Sequence, residues 1–210
     1  MYKIFYIFFL CSLLTACSEA ILFEEPQPAG AEILIKFPEK IQGEYQSLSN
    51  RSVLHISDSL ITRVYDFNIK EHINNLDPNY RLKGDTLLDL DIGEKIIVKI
   101  IDDTIYHGFY SLDTLFYISE NNVLKKYKSH YFLSTTSDNI SWSVKKLSAN
   151  KGKLFISTIS GKEDIALLKE ITETQADTTA VKFKPTQKQF KKFIKENGFN
   201  ETEEFIRIKK

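Results

Sequence analysis

The sequence predicts an all-β domain, mainly an antiparallel meander forming a barrel or sandwich, completed by one C-terminal α-helix and a terminal strand. Three observations lead there. From Gly43 to about Ile171 the chain is rich in Ile, Tyr, Phe, Thr and Val, residues that suit a pleated, half-buried surface. Asn, Asp and Gly interrupt that run roughly every 8–12 residues, the spacing of short strands joined by tight turns. No long helical periodicity intervenes before Thr186.

The N-terminus has a different pattern. Lys3 is followed by the apolar stretch Ile4–Leu14 and then by small residues up to Cys17, the order of an export signal. The apolar run is well short of the roughly 20 residues a permanent transmembrane helix needs. We therefore divide the chain into an export signal at 1–16, a lipidated N-terminus and flexible spacer at 17–31, and a single β-rich domain at 32–210.

Leu14-Thr15-Ala16-Cys17 resembles the bacterial lipobox. That resemblance implies that cleavage exposes Cys17 and that acyl chains on it tether the mature protein to a membrane. One acyl chain binds only marginally at about 0.8 kcal/mol per buried methylene, whereas two or three anchor stably. Ser18 is not the aspartate that holds familiar lipoproteins at the inner membrane, and Ser18-Glu19-Ala20 is an incomplete acidic surface-export run. The expected location is the periplasmic face of the outer membrane. Cys11 leaves with the signal and Cys17 carries lipid, so the mature chain is expected to have no disulfide and no reactive thiol.

Removing the signal takes away Lys3 as its only charge and leaves 194 residues with 27 basic and 28 acidic side chains. Such a balance argues against nucleic acid as a partner, since that footprint is strongly basic. Ser18–Ala31 contains Glu24, Glu25, Pro26, Pro28 and Gly30 and reads as an extended spacer, with a first strand conceivable from Glu32–Phe37. Fully extended, it would lift the domain on the order of 40 Å from the lipid.

Strands are expected at Glu44–Ser47, Ser52–Ser57, Leu60–Ile69, Tyr80–Lys83, Thr86–Asp91, Lys95–Ile101, Thr104–Ser111, Thr114–Ser119, Val123–Tyr127, His130–Thr135, Ile140–Leu147 and Lys153–Ser160. Connections this short favour antiparallel neighbours. A weak repeat marks the turns: Asp58-Ser59-Leu60, Asp85-Thr86-Leu87, Asp103-Thr104-Ile105 and Asp113-Thr114-Leu115 place an aspartate and a hydroxyl before an aliphatic residue. Aspartate bonds locally to the backbone at such tips. Alternation puts Ile140, Trp142 and Val144 on one face, with Trp142 as a core anchor. Lys95–Ile101 has isoleucines on both faces and is expected to be covered on both sides.

Asp164–Ile171 reads as strand or short helix, and Thr172–Thr179 as a polar loop. Thr186-Gln187-Lys188-Gln189 fits a capping box opening a helix over about 186–197, with Phe190, Phe193 and Ile194 as its apolar stripe and Gly198 as its left-handed stop. Glu203–Lys209 alternates like a last strand.

Gly43-Glu44-Tyr45 ahead of a β meander, one helix and a final strand resembles the lipocalin-like barrels, with tyrosine in place of their tryptophan and more than their eight strands. Further segments carry a likeness to uncharacterised Bacteroidota-type lipoproteins: Phe23-Glu24-Glu25-Pro26-Gln27-Pro28, Tyr65-Asp66-Phe67, Gly84-Asp85-Thr86-Leu87 and Asn122-Val123-Leu124-Lys125-Lys126-Tyr127. That family implies a home in the envelope and no activity.

No catalytic, cofactor or metal motif stands out. His55, His72, His107 and His130 are scattered without ligand spacing. Asp89-Leu90-Asp91-Ile92-Gly93-Glu94 opens like a calcium loop, but Ile100 stands where the closing glutamate is required, so a plain turn is the expectation. Lys182, Lys184, Lys188, Lys191, Lys192 and Lys195 make the C-terminal helix basic, which reads as a solvated face. Tyr106, Tyr110, Tyr117, Tyr127 and Tyr131 suit either a ligand cavity or a β core. The functional expectation is a membrane-anchored envelope lipoprotein acting as a non-catalytic module for an envelope protein partner. The alternative is a lipocalin-like carrier of a small hydrophobic ligand.

Overall fold

The computed structural model describes residues 20–174 and 180–209. The export signal, Cys17 and the greater part of the expected loop at Thr172–Thr179 lie outside the described residues. In chain order the elements are β1 (Ala20–Phe23), β2 (Glu32–Leu34), β3 (Gly43–Ser47), β4 (Ser52–Ile56), β5 (Leu60–His72), β6 (Tyr80–Lys83), β7 (Thr86–Asp89), β8 (Lys95–Ile97) and β9 (Lys99–Ile101). Then follow β10 (Thr104–Tyr117), β11 (Asn122–Tyr127), β12 (His130–Thr136), β13 (Trp142–Asn150), β14 (Lys153–Thr158), α1 (Gly161–Thr172), β15 (Ala180–Phe183), α2 (Gln187–Lys195) and β16 (Glu201–Lys209).

The fold is mostly β, as expected. One large sheet runs β2-β11-β12-β13-β14-β16-β3-β4-β5-β10-β9, with β1 and β15 attached beside β13. Its main path is antiparallel, and β1 with β15 forms a parallel pair. The sheet curls until its halves face each other without closing into a barrel. Leu133 and Leu147 from one half meet Ile61 and Phe116 from the other in a single core with Phe37, Tyr45, Leu54, Leu154 and Phe205. Pairing β16 with β3 joins the two ends of the domain and holds that curl.

A second core lies on the outer face of β12 and β13, under the helices. Phe23, Phe132, Trp142, Val144, Leu168, Phe183, Phe190 and Phe193 fill it. Trp142 is thus a core anchor of this outer cluster. It is β12 and β13 that are covered on both sides, because alternate residues feed the two cores.

Lys95–Ile101 departs from its expectation. It divides into β8 and β9 in two different sheets around buried Val98, and Ile97 is 71% exposed. The expected turn at Asp113-Thr114 is also absent: these residues sit inside β10, paired along β5, with a bulge between Thr114 and Phe116. The other three aspartates of the repeat do mark hairpin tips. The Asp164 segment resolves as helix α1.

The expected spacer is a further correction. Residues 20–31 are folded onto the body: Phe23 and Gln27 are fully buried, the Gln27 amide donates to Ser134 Oγ at 3.2 Å, and Lys125 Nζ donates to the carbonyls of Pro26 and Pro28 at 2.7 and 3.0 Å. Polar composition there suggested solvent, whereas a buried lysine supplies the matching donors. The capping box of α2 forms as read, with Thr186 and Gln189 bonded reciprocally. Its stop differs from the expected one. Asn197 takes the left-handed angle (φ 63°), and the Gly198 amide bonds Phe193 O at 3.0 Å, which is a Schellman closure.

Candidate functional site

The long hairpin β5–β10 positions the most exposed apolar surface. β4 supports β5 only as far as Tyr65, opposite Ser52, and β9 supports β10 only from Thr104 to Tyr106. Beyond those points the two strands form a bare ribbon. It ends in a small satellite sheet, β6-β7-β8, packed on Leu87, Val98 and Ile105.

One face of this ribbon is aromatic. The Phe67 and Phe109 rings lie 5.1 Å apart, Tyr65 meets Phe109 edge-on at 6.4 Å, and the Arg51 guanidinium caps Phe67 at 5.2 Å. Together with Ser49, Asn50, Ser111 and Asp113 they line an open groove of about 630 Å³. On the opposite face Tyr110 and Leu112 are 66% and 56% exposed. Alternation places these two sets back to back.

The edge of β10 from His107 to Tyr117 has no strand neighbour among the described residues, since β5 occupies its other edge. The segment contains no Lys, Arg or Pro, the residues that commonly blunt an edge. Its main-chain donors and acceptors are therefore offered to whatever lies alongside.

The residues singled out from sequence distribute as follows. Tyr131 is buried in the inner core and Tyr127 packs against the outer one, while Tyr110 and Tyr117 are exposed on β10. They do not line one cavity. Tyr106 lies on the ribbon with Lys70 Nζ 5.5 Å above its ring. The four histidines sit on separate stretches: His55 in β4, His72 and His107 on the ribbon and His130 in β12. Among the described residues no three His, Cys, Asp or Glu side chains gather as metal ligands. Asp89 accepts the amides of Asp91 and Ile92 at 2.9 and 3.2 Å, a local turn as expected. On α2, Phe190 and Phe193 face inward, and Lys188, Lys191, Lys192 and Lys195 are exposed.

Burial displaces several titratable groups, His130 and Lys125 among them. Desolvation pushes the His130 imidazole down, helped by the nearby Lys146 and Lys128 charges, and its buried Nδ1 has no hydrogen-bond partner among the described residues. Desolvation likewise pulls the Lys125 ammonium below its usual range against the field of Glu25. Both groups are structural, one beside Phe132 and the other under the N-terminal segment.

Sequence reasoning missed Arg51, Phe67 and Phe109. The available signal was the period-two run Tyr65, Phe67, Ile69, which gives a face but not its exposure. Comparison with protein-family models, curated proteins and solved structures returned no match for this chain.

Proposed function

We propose that this protein is a cell-envelope lipoprotein, held by acyl chains on Cys17, that works as a non-catalytic docking module. Its partner is an envelope protein that contributes an extended segment to the free edge of β10. The observation that carries this reading is the unpaired edge from His107 to Tyr117, flanked by exposed Phe109, Tyr110 and Leu112. A strand edge is complemented by another strand: main-chain hydrogen bonds supply affinity and alternate side chains supply choice. The groove of Tyr65, Phe67 and Phe109 offers a seat for an apolar side chain of that segment.

Near-neutral charge fits short-range docking, because no large field steers the encounter. The docked N-terminal segment changes the geometry of the tether. Only residues 18 and 19 separate Cys17 from β1, so the anchor reaches no more than about 10 Å before the body begins. The module then works close to the membrane. A carrier of a hydrophobic ligand draws no support from the inner core, where Phe37, Tyr45, Phe116 and Phe205 occupy the space between the sheet halves.

The test is photo-crosslinking in cells of the organism, from a photoreactive residue at Tyr110, with and without Leu112→Pro, whose amide faces away from β5. The expected result is a discrete crosslinked protein that disappears with proline, which removes a main-chain donor from the edge. Loss of the crosslink in Leu112→Lys with unchanged folding would agree. A crosslink pattern indifferent to both substitutions would overturn strand docking.

A further inference from the structure

The far mouth of the curled sheet, remote in sequence from the β10 edge, carries a second feature. Three short connections close it: the Glu39–Ile41 3-10 turn, the Lys128-Ser129 turn between β11 and β12, and the Lys151-Gly152 turn between β13 and β14. Between them lies a cavity of about 360 Å³. Its lining contains Lys40, Lys151, Lys153 and Arg207 and no carboxylate.

Of these four cations, only Lys153 is paired with a carboxylate among the described residues, Glu204 at 2.5 Å. Arg207 is held by neutral oxygens. One of its terminal nitrogens donates to Lys40 O at 2.6 Å and to the Tyr45 hydroxyl, and its guanidinium stacks 4.9 Å over the Tyr45 ring. Tyr45 is buried, and its own hydroxyl donates to Ile41 O at 2.9 Å, so both the ring and the hydroxyl are fixed. Lys40 is placed by the Tyr131 ring, 5.9 Å from its ammonium. Arg207 has five N–H donors, and the bonds above use one nitrogen of the fork, leaving the remainder for a ligand.

We infer that this mouth is an oxyanion site that takes a phosphoryl group, with Arg207 as the oriented fork and Lys40 and Lys151 as flanking charges. Three cations without a carboxylate partner among the described residues match a dianion better than the single charge of a carboxylate. A planar guanidinium held rigid by stacking is the side chain suited to phosphate oxygens. The buried Tyr45 is a positioning residue: it holds Arg207 and has no free donor to offer. The phosphoryl group can belong to a free phosphorylated compound or to a lipid headgroup.

The experiment titrates the full-length protein with inorganic phosphate, with dihexanoyl phosphatidic acid below its micelle concentration, and with acetate, following the Arg207 Nε–H resonance by NMR. Saturable binding of phosphate or phosphatidic acid is expected, weakened about tenfold or more in Arg207→Gln and in the double variant K40A/K151N, as loss of charge-assisted bonds requires. Lys40 and Lys151 are exposed, and asparagine tolerates the positive φ of position 151, so the double variant decides the matter even if Arg207→Gln fails to fold. Tighter binding of inorganic phosphate points to a free compound, and tighter binding of phosphatidic acid points to a headgroup. No saturable binding, equal binding by acetate, or unchanged affinity in the double variant would overturn the site.

Discussion

Gly198 illustrates how a single residue is fixed by its surroundings and not by its own backbone angle. A Cβ there would sit 2.4 Å from the Phe193 ring, and Phe193 is fully buried among Phe132, Phe190 and Phe199 and cannot retreat. Gly198→Ala should therefore lose roughly 1–3 kcal/mol in guanidinium chloride unfolding, the usual cost of overpacking. Asn197→Gly, at the true left-handed position, should change stability by only a few tenths of a kcal/mol. The sequence told us that a helix stops here; it could not tell which neighbour bears the angle and which bears the close approach. His130 supplies the pH dependence at this scale. Its folded pKa is lowered, so the unfolded chain takes up a proton first as pH falls through the ordinary imidazole range. Stability should drop between about pH 7.5 and about 5 more steeply in the wild type than in His130→Gln, as measured by denaturation at each pH. Parallel profiles would show that burial of the ring is unimportant.

At the scale of elements, legibility tracked whether the signal was local. The capping box of α2 needed only Thr186 and Gln189, both within one turn, and it forms as read. Thr186→Ala should consequently cost about 1 kcal/mol of stability and raise hydrogen exchange in the first turn of α2. An unchanged exchange rate there would show that packing of Phe190 alone holds the helix start. β10 was divided wrongly for the opposite reason. Asp113-Thr114 has turn chemistry, but β5 runs opposite without interruption from Leu60 to His72 and keeps the chain extended, with a bulge as the only irregularity. β1 escapes a local reading because its neighbourhood of Glu and Pro resembles a linker; its strand partners β13 and β15, and Lys125 on β11, which holds the segment after it, all lie far away in sequence. The candidate site shared that fate. Its aromatics were visible as alternating residues, but their exposure follows from where β4 and β9 end, which no local pattern encodes.

At the scale of the molecule, the body and the satellite sheet differ in what holds them together. The body has two large cores, whereas the satellite is built on Leu87, Val98 and Ile105 with partly buried neighbours. So small a core opens at lower free energy than the rest. Hydrogen exchange should therefore release protection in residues 80–101 well before residues 122–158, and simultaneous exchange would show one cooperative unit. The topology allows a sharper version. Glu71 and Ile105 face each other as a hydrogen-bonded pair of the β5–β10 ladder, so replacing residues 72–104 by Asn-Gly leaves a two-residue hairpin of favourable twist. The shortened protein should unfold cooperatively with a stability within about 1 kcal/mol of the parent body, because neither large core loses a member. It also retains the β10 edge from His107 to Tyr117. If the Tyr110 crosslink persists in the shortened protein, the edge alone recruits the partner. If it is lost while the body still folds, the satellite sheet is part of the docking surface, and the ribbon serves to hold it away from the body.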